Sequence, residues 1–97
     1  MDDMKVRWLR QALFHLDRVY DYIAEDNPKA AKLVFRRIHE PARKLERFLN
    51  VDRSGQVPGT RELVVANLPY IIVYRITEAE VQILRVLHVR QGHKGLQ

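Results

Sequence analysis

The sequence predicts an α+β domain of two layers, in which an antiparallel sheet packs against a hairpin of two helices. Amphipathic helical patterns fill the first half of the chain, and three β-rich runs follow one another in the second half. The linkers between those runs are four residues long, and linkers this short make neighbouring strands antiparallel. We therefore expect the order β-α-α-β-β-β in a single domain over residues 1–97.

The first strand is predicted at 4–9 and the first helix at 11–25. Met4, Val6 and Trp8 are spaced two apart, which is typical of a half-buried strand. A strand this short is expected to join the edge of the later sheet. The helix shows one core-facing stripe of apolar residues, which consists of Ala12, Leu16, Val19, Tyr20 and Ile23.

The second helix is predicted at 28–49. Asn27 suits the N-cap, and Pro28 suits the first helical position, where its missing N–H costs nothing. Pro41 removes one hydrogen bond inside the pattern. We expect it to kink the helix rather than end it, because the apolar spacing resumes at Leu45.

Three further strands are predicted at 60–65, 70–76 and 81–89. Asn67 and Pro69 mark the turn between the first two. One face of this sheet is expected to pack on the helices, and the other is expected to stay open. Strict alternation would divide the last strand into two sets, Val81, Ile83, Arg85 and Leu87 on one face and Gln82, Leu84, Val86, His88 and Arg90 on the other.

Composition and motifs exclude several classes of function. The chain has no cysteine, so a disulfide framework, a thiolate nucleophile and a cysteine-rich zinc site are excluded. It has no glycine-rich phosphate loop and no serine nucleophile elbow. We predict no cofactor and no metal, because metal-ligand spacing is lacking among the four histidines, His15, His39, His88 and His93. No apolar run is long enough to span a membrane and the start of the chain is acidic, so we expect a cytoplasmic protein.

Positive charge is concentrated in two regions of the chain. The net charge is +5 overall, with +5 over residues 28–49 and +3 over residues 81–97. Such a distribution favours nucleic acid or an acidic protein segment as a partner. The alternative for the helix is a solvated face that only keeps the protein soluble.

Each of the three later strands carries an arginine, and these side chains could converge on one sheet surface. Arg61, Arg75 or Arg85, together with His88, would then form an anion or phosphate site, since guanidinium groups match phosphate oxygens. The alternative is that the arginines are solvated or paired with nearby carboxylates, and that His88 is a core histidine.

Short motifs in these elements resemble the RelE/ParE family of toxins from bacterial toxin–antitoxin modules. The motifs are GTREL at 59–63, LPYIIVYR at 68–75 and ILRVLH at 83–88, with YIA at 22–24, NP at 27–28 and AA at 30–31 upstream. The resemblance covers nearly the whole chain and implies the same β-α-α-β-β-β fold. It also implies a cognate antitoxin, which neutralises the toxin with an acidic or amphipathic segment in a hetero-oligomer.

The two branches of this family imply different activities. RelE-type members are ribonucleases that cut messenger RNA on the ribosome, and Arg61, Arg85 and His88 would be the catalytic residues here. ParE-type members block DNA gyrase instead. The chain is more similar to the ParE branch because no tyrosine follows His88. The target-binding residues would then be Arg85, His88, Arg90, His93 and Lys94.

The basic second helix is the predicted contact surface for the antitoxin. An acidic antitoxin segment is expected to meet its positive side chains, Lys32, Arg36, Arg43 and Arg47. A third interpretation of the resemblance is a degenerate member that binds an antitoxin and no longer acts on a target.

Overall fold

Five strands, two α-helices and one 3₁₀ turn form the fold within the part of the chain that the computed structural model describes, residues 4–46, 53–54 and 57–90. In chain order they are β1 (Lys5–Trp8), α1 (Arg10–Ala24), α2 (Pro28–Arg43), the 3₁₀ turn (Lys44–Glu46), β2 (Arg53–Ser54), β3 (Arg61–Val64), β4 (Tyr70–Ile76) and β5 (Glu80–His88). The predicted α+β class and the predicted succession of helices and later strands are confirmed.

The strands form one sheet in the order β1-β5-β4-β3-β2. β3, β4 and β5 are antiparallel, as predicted. One detail needs correction: β1 runs parallel to β5, from Lys5 opposite Glu80 to Trp8 opposite Ile83, so the sheet is not antiparallel throughout. Parallel neighbours need a long crossover connection, and here that connection includes both helices.

Strand β2 was not predicted from the sequence. Its two residues pair antiparallel with β3, Arg53 opposite Glu62 and Ser54 opposite Arg61. Two residues carry no periodicity, so only pairing with a neighbour defines such a strand.

Helix α2 begins where the sequence predicts and ends earlier. The Asn27 side chain accepts a backbone hydrogen bond at 3.1 Å, and a proline occupies the first turn. The helix continues through Pro41 but ends at Arg43, so the prediction of one helix over 28–49 is wrong at its C-terminal end. Because Pro41 lacks an N–H and crowds the preceding turn, it weakens the helix there, and a 3₁₀ turn follows. Residues 47–49 lie outside the described residues.

Side chains from the sheet and both helices meet in one buried core. Helices α1 and α2 and the 3₁₀ turn supply Leu16, Ile38 and Leu45. The sheet supplies Ile72, Tyr74, Val81 and Ile83. Removal of this apolar surface from water is the main force that holds the sheet against the helices.

A stack of aromatic rings joins β1 to the helices. The His39 ring lies parallel to Trp8, with centroids 5.7 Å apart, and parallel to Phe35, with centroids 5.9 Å apart. Tyr20 meets Phe35 edge to face at 6.3 Å. Since these rings come from β1, α2 and α1, the stack fixes the position of the edge strand relative to the helical hairpin.

A β-bulge interrupts the pairing of β4 with β5. Leu84 is the extra residue, because the consecutive β4 residues Val73 and Tyr74 lie opposite Arg85 and Ile83. One extra residue shifts the alternation of side chains. The predicted face sets for the last strand are therefore wrong beyond Leu84. Val86 joins the helix-side core with Ile83, whereas Leu84 and Leu87 pack with the buried Ile71 and Val73 on the other face.

Candidate functional site

A cleft of about 930 Å³ lies between α1 and the C-terminal end of β5, and we call it the α1–β5 cleft. Its polar and aromatic lining consists of Phe14, His15, Arg18 and Tyr22 from α1, Tyr70 from β4, and Arg85, His88 and Arg90 from β5 and the residues that follow it. Three of these residues are arginines, and the described lining contains no carboxylate. The cleft is therefore suited to an anionic ligand.

The cleft exists because β1 is shorter than β5. β1 pairs with β5 only as far as Ile83, and α1 lies beside the rest of the β5 edge. At that edge the N–H of Val86 donates a hydrogen bond to Nδ1 of His15 at 3.2 Å. A side chain from the helix thus satisfies a strand N–H that β1 does not reach.

His15 favours the neutral form at this position. Burial lowers its pKa below the ordinary value for histidine, and the positive charges of Arg85 and Arg18 lower that pKa further. Because Nδ1 accepts the hydrogen bond from Val86, the proton of the neutral ring is on Nε2. His15 therefore holds the end of β5 without adding charge to the cleft.

His88 is positioned by two contacts at the end of β5. Its Nδ1 accepts a hydrogen bond from the backbone N–H of Arg90 at 3.2 Å. Its ring meets Tyr70 edge to face, with centroids 5.7 Å apart. Burial raises the pKa of the Tyr70 hydroxyl, and the nearby Tyr22 adds to this effect. Tyr70 is therefore a neutral phenol at neutral pH.

A second, smaller concavity of about 410 Å³ lies between the two helices, and we call it the hairpin groove. It is lined by Asp17 and Tyr20 from α1 and by Lys32, Phe35 and Arg36 from α2. Two aromatic rings and two positive side chains thus lie close together at the junction of the helices. This combination suits a partner segment that has both apolar and acidic residues.

The structure distributes the predicted site residues over several places. Arg85, His88 and Arg90 share the α1–β5 cleft, and Lys32 and Arg36 line the hairpin groove. The remaining described residues lie elsewhere. Arg61 lies on β3, opposite Tyr74 of β4. Arg75 donates a hydrogen bond to Gln82 at 2.7 Å, and Arg43 forms an ion pair with Glu40. Arg47, His93 and Lys94 lie outside the described residues.

Sequence reasoning missed the residues that α1 contributes to the cleft. Phe14, Arg18 and Tyr22 recur every four residues, beside the apolar stripe that faces the core. That spacing was the available signal, because an amphipathic helix is not expected to place aromatic residues on its solvent side. His15 gave no comparable signal, since its partner is a backbone N–H at position 86.

Comparison with solved structures gives the class of protein. The chain is similar to the structure described as the chromosomal ParDE TA system from P. aeruginosa, with a TM-score of 0.78 and 31% identity over 88% of this chain and 95% of that one. It is also similar to the YoeB dimer from Staphylococcus aureus, with a TM-score of 0.52 over 86% of this chain and 93% of that one. The latter likeness is one of fold alone, because the identity is 16%. The match to the ParDE structure points to a component of a toxin–antitoxin system.

Sequence comparison then gives the family. Residues 6–92 match the family described as the ParE toxin of the type II toxin–antitoxin system parDE. A Sinorhizobium fredii protein described as a toxin, Y4kP, is 42% identical over 94% of both chains. Toxin RelE2 of Caulobacter vibrioides is 33% identical over 87% of this chain and 93% of its own. The chain therefore belongs to the ParE toxin family, within the wider RelE/ParE group, and its partner is an antitoxin. In the described residues, neither helix is long and apolar enough to cross a membrane.

Proposed function

We propose that this toxin inhibits DNA gyrase and that the α1–β5 cleft is the surface that contacts the enzyme. The observation that carries this proposal is the group of arginines in the cleft. Arg18, Arg85 and Arg90 make no ion pair with a carboxylate in the part of the chain that the structure describes. Unpaired guanidinium groups around an open concavity are suited to bind an anionic partner surface. Membership of the ParE family supports gyrase as that partner.

A gyrase supercoiling assay with the purified chain tests the proposal. We expect the wild-type chain to inhibit supercoiling and Arg85→Glu to raise the inhibitory concentration by at least about tenfold, because it reverses a charge in the cleft. Arg75→Glu is the matched control. It makes the same charge change on the sheet, but Arg75 bonds to Gln82 outside the cleft. The proposal fails if the wild-type chain leaves supercoiling unchanged at saturating concentration.

The alternative activity is cleavage of messenger RNA on the ribosome. The observation that favours it is the presence of Arg85, His88 and His15 in one cleft, with Tyr70 against His88. Arg61, the third predicted catalytic residue, is outside the lining of that cleft. If the alternative is correct, programmed ribosomes will yield cleaved messages with the wild-type chain and intact messages with His88→Ala. Intact messages in both cases would remove the alternative.

We further propose that the antitoxin occupies the hairpin groove with an acidic, amphipathic segment. Lys32 and Arg36 would meet its acidic residues, and Tyr20 and Phe35 would meet its apolar side. The predicted roles of Arg43 and Arg47 remain predictions. Arg43 already has Glu40 as a partner, so we expect a smaller contribution from it.

Association kinetics with the cognate antitoxin test this second surface. The double variant Lys32→Glu/Arg36→Glu is expected to slow association by at least about tenfold, and added salt is expected to slow association of the wild-type chain. Lys29→Glu is the control on the same helix, because Lys29 does not line the groove. Equal rates for the double variant and this control would contradict the proposed position of the antitoxin.

A further inference from the structure

The exposed side of α1 carries an alternating row of aromatic and positive residues along the α1–β5 cleft. Phe14, Arg18 and Tyr22 are four residues apart, so they lie one above another on one face of the helix over about 12 Å. Phe14 is 56% exposed and Tyr22 is 77% exposed. The Arg18 guanidinium lies over the Phe14 ring, with its Cζ 5.7 Å from the ring centroid. Large aromatic rings exposed to this extent do not stabilise the core.

The opposite wall of the cleft carries positive charge and one more ring. Arg85 and Arg90 come from β5 and the residue pair that follows it, and Tyr70 packs against His88. Arg85 lies on the part of β5 beyond Ile83, where β1 no longer pairs and α1 lines the same cleft. The positive charge of Arg85 also contributes to lowering the pKa of His15 on α1. Aromatic rings on one wall therefore lie across from guanidinium groups on the other.

These two walls match the chemistry of a single-stranded polynucleotide. Proteins bind such strands with a positive groove that follows the phosphates and with aromatic rings on which successive bases stack. An acidic peptide would satisfy the arginines but would give Phe14 and Tyr22 no flat partner, and acidic segments are better matched by the hairpin groove. The absence of carboxylates from the described lining also suits a phosphate backbone.

We propose that the α1–β5 cleft binds a single-stranded polynucleotide, with bases stacked on Phe14 and Tyr22 and phosphates bound by Arg85 and Arg90. The α1–β5 cleft is also the surface proposed above to contact gyrase. The inference rests on that proposal only for the cellular process in which the strand would be bound. The stacking residues on α1 are its distinguishing feature, because a purely electrostatic surface would not require them.

Fluorescence anisotropy with the purified chain tests the inference. The probes are labelled oligo(dT) and oligo(U) of about twelve nucleotides, a length that small single-strand binding domains cover. We expect Phe14→Ala/Tyr22→Ala to weaken binding by at least about tenfold while the dependence of log affinity on log salt keeps its slope. Arg85→Ala/Arg90→Ala is expected to weaken binding and to make that slope shallower, by the amount that corresponds to the loss of about two phosphate contacts. The two oligonucleotides show whether the strand is DNA, RNA or either.

Two matched controls separate a specific site from general attraction. Leu13→Ala removes a 46% exposed apolar residue next to the stripe, and Arg75→Ala removes a positive charge elsewhere on the sheet. Neither is expected to change oligonucleotide affinity by more than about twofold. Thermal unfolding of all variants verifies that the chain is folded, which is expected because Phe14 and Tyr22 are exposed.

Several outcomes would overturn the inference. It fails if neither oligonucleotide binds, or if the affinity is unchanged in Phe14→Ala/Tyr22→Ala. It also fails if an oligoglutamate peptide displaces the oligonucleotide and the affinity of that peptide falls as much as that of the oligonucleotide when the two rings are removed. Gyrase inhibition without oligonucleotide binding would overturn this inference and leave the gyrase proposal intact. Oligonucleotide binding that depends on the two rings, without gyrase inhibition, would support this inference and remove the gyrase proposal.

Discussion

The two halves of β5 belong to one strand and have different neighbours. From Val81 to Ile83 the strand is paired on both sides, with β1 and β4, and Val81 and Ile83 are fully buried. Beyond Leu84 it is paired with β4 on one side, and α1 lies on the other side. The first half therefore serves as scaffold. The second half presents Arg85 and His88 to a cleft.

The comparison shows that the neighbour at the strand edge decides whether a residue is structural or available for binding. A strand neighbour satisfies backbone groups at every second residue and leaves no concavity. A helix beside the same edge satisfies them through single side chains, here His15, and leaves space between its other side chains and the strand. The bulge at Leu84 lies at the boundary between the two halves.

Insertion of one alanine between Arg85 and Val86 is expected to have the largest effect on stability. Because side chains alternate along a strand, the added residue would turn every later side chain to the opposite face, and Val86 would leave the helix-side core. We expect a loss in the free energy of unfolding that exceeds the roughly 2–5 kcal/mol of a single large-to-small core substitution. Urea denaturation measures it. An insertion variant as stable as wild type would show that the register after the bulge does not set the faces.

Substitution Ile83→Ala tests the scaffold half alone. Ile83 is fully buried between β1 and the helices, so the cavity is expected to cost about 2–5 kcal/mol of unfolding free energy. Leu84→Ala, one residue later and only partly buried, is the control and is expected to cost less. Chemical denaturation gives the free energy of unfolding of both variants. A larger loss in Leu84→Ala than in Ile83→Ala would contradict the assignment of the first half of β5 as the scaffold.

Substitution His15→Ala tests how α1 holds the second half. It removes the acceptor for the Val86 N–H and is expected to cost about 1–3 kcal/mol, because the donor is then left without its partner. His15→Asn keeps an acceptor atom near the position of Nδ1 and is expected to recover most of this loss. If hydrogen exchange at the Val86 amide were equally fast in wild type and in His15→Ala, the proposed role of His15 would be wrong.

The pH dependence of stability tests the role of His15 through a smaller effect. Burial, then the charges of Arg85 and Arg18, lower the pKa of His15 in the folded state, so the unfolded chain takes up a proton first as pH falls. Stability from neutral His15 is therefore complete above the ordinary histidine pKa of about 6.5 and declines as pH falls toward the lowered folded pKa. Denaturation midpoints between neutral and mildly acidic pH should decline less in His15→Asn than in wild type. Identical profiles would contradict this account.

Patterns among neighbouring residues predicted most of the helices and strands. The cap at Asn27, the helical stripes and the three later strands follow from chemistry within a few residues, and their succession is confirmed. The same stretches carry the motifs of the toxin family. The early end of α2 was missed because the resumed apolar spacing at Leu45 reflects a 3₁₀ turn that reaches the core, which periodicity does not distinguish from a helix.

The α+β class, the helical hairpin, the antiparallel meander and the basic end of the last strand could be predicted from local patterns, because periodicity, capping and charge are properties of neighbouring residues. Long-range packing sets three other features: the parallel pairing of β1 with β5, the bulge at Leu84, and the contact of His15 with Val86 across 71 positions of the chain. The α1–β5 cleft lies where β1 no longer pairs with β5 and α1 lies beside the strand instead. Contacts between distant segments arise from packing, which no local pattern encodes.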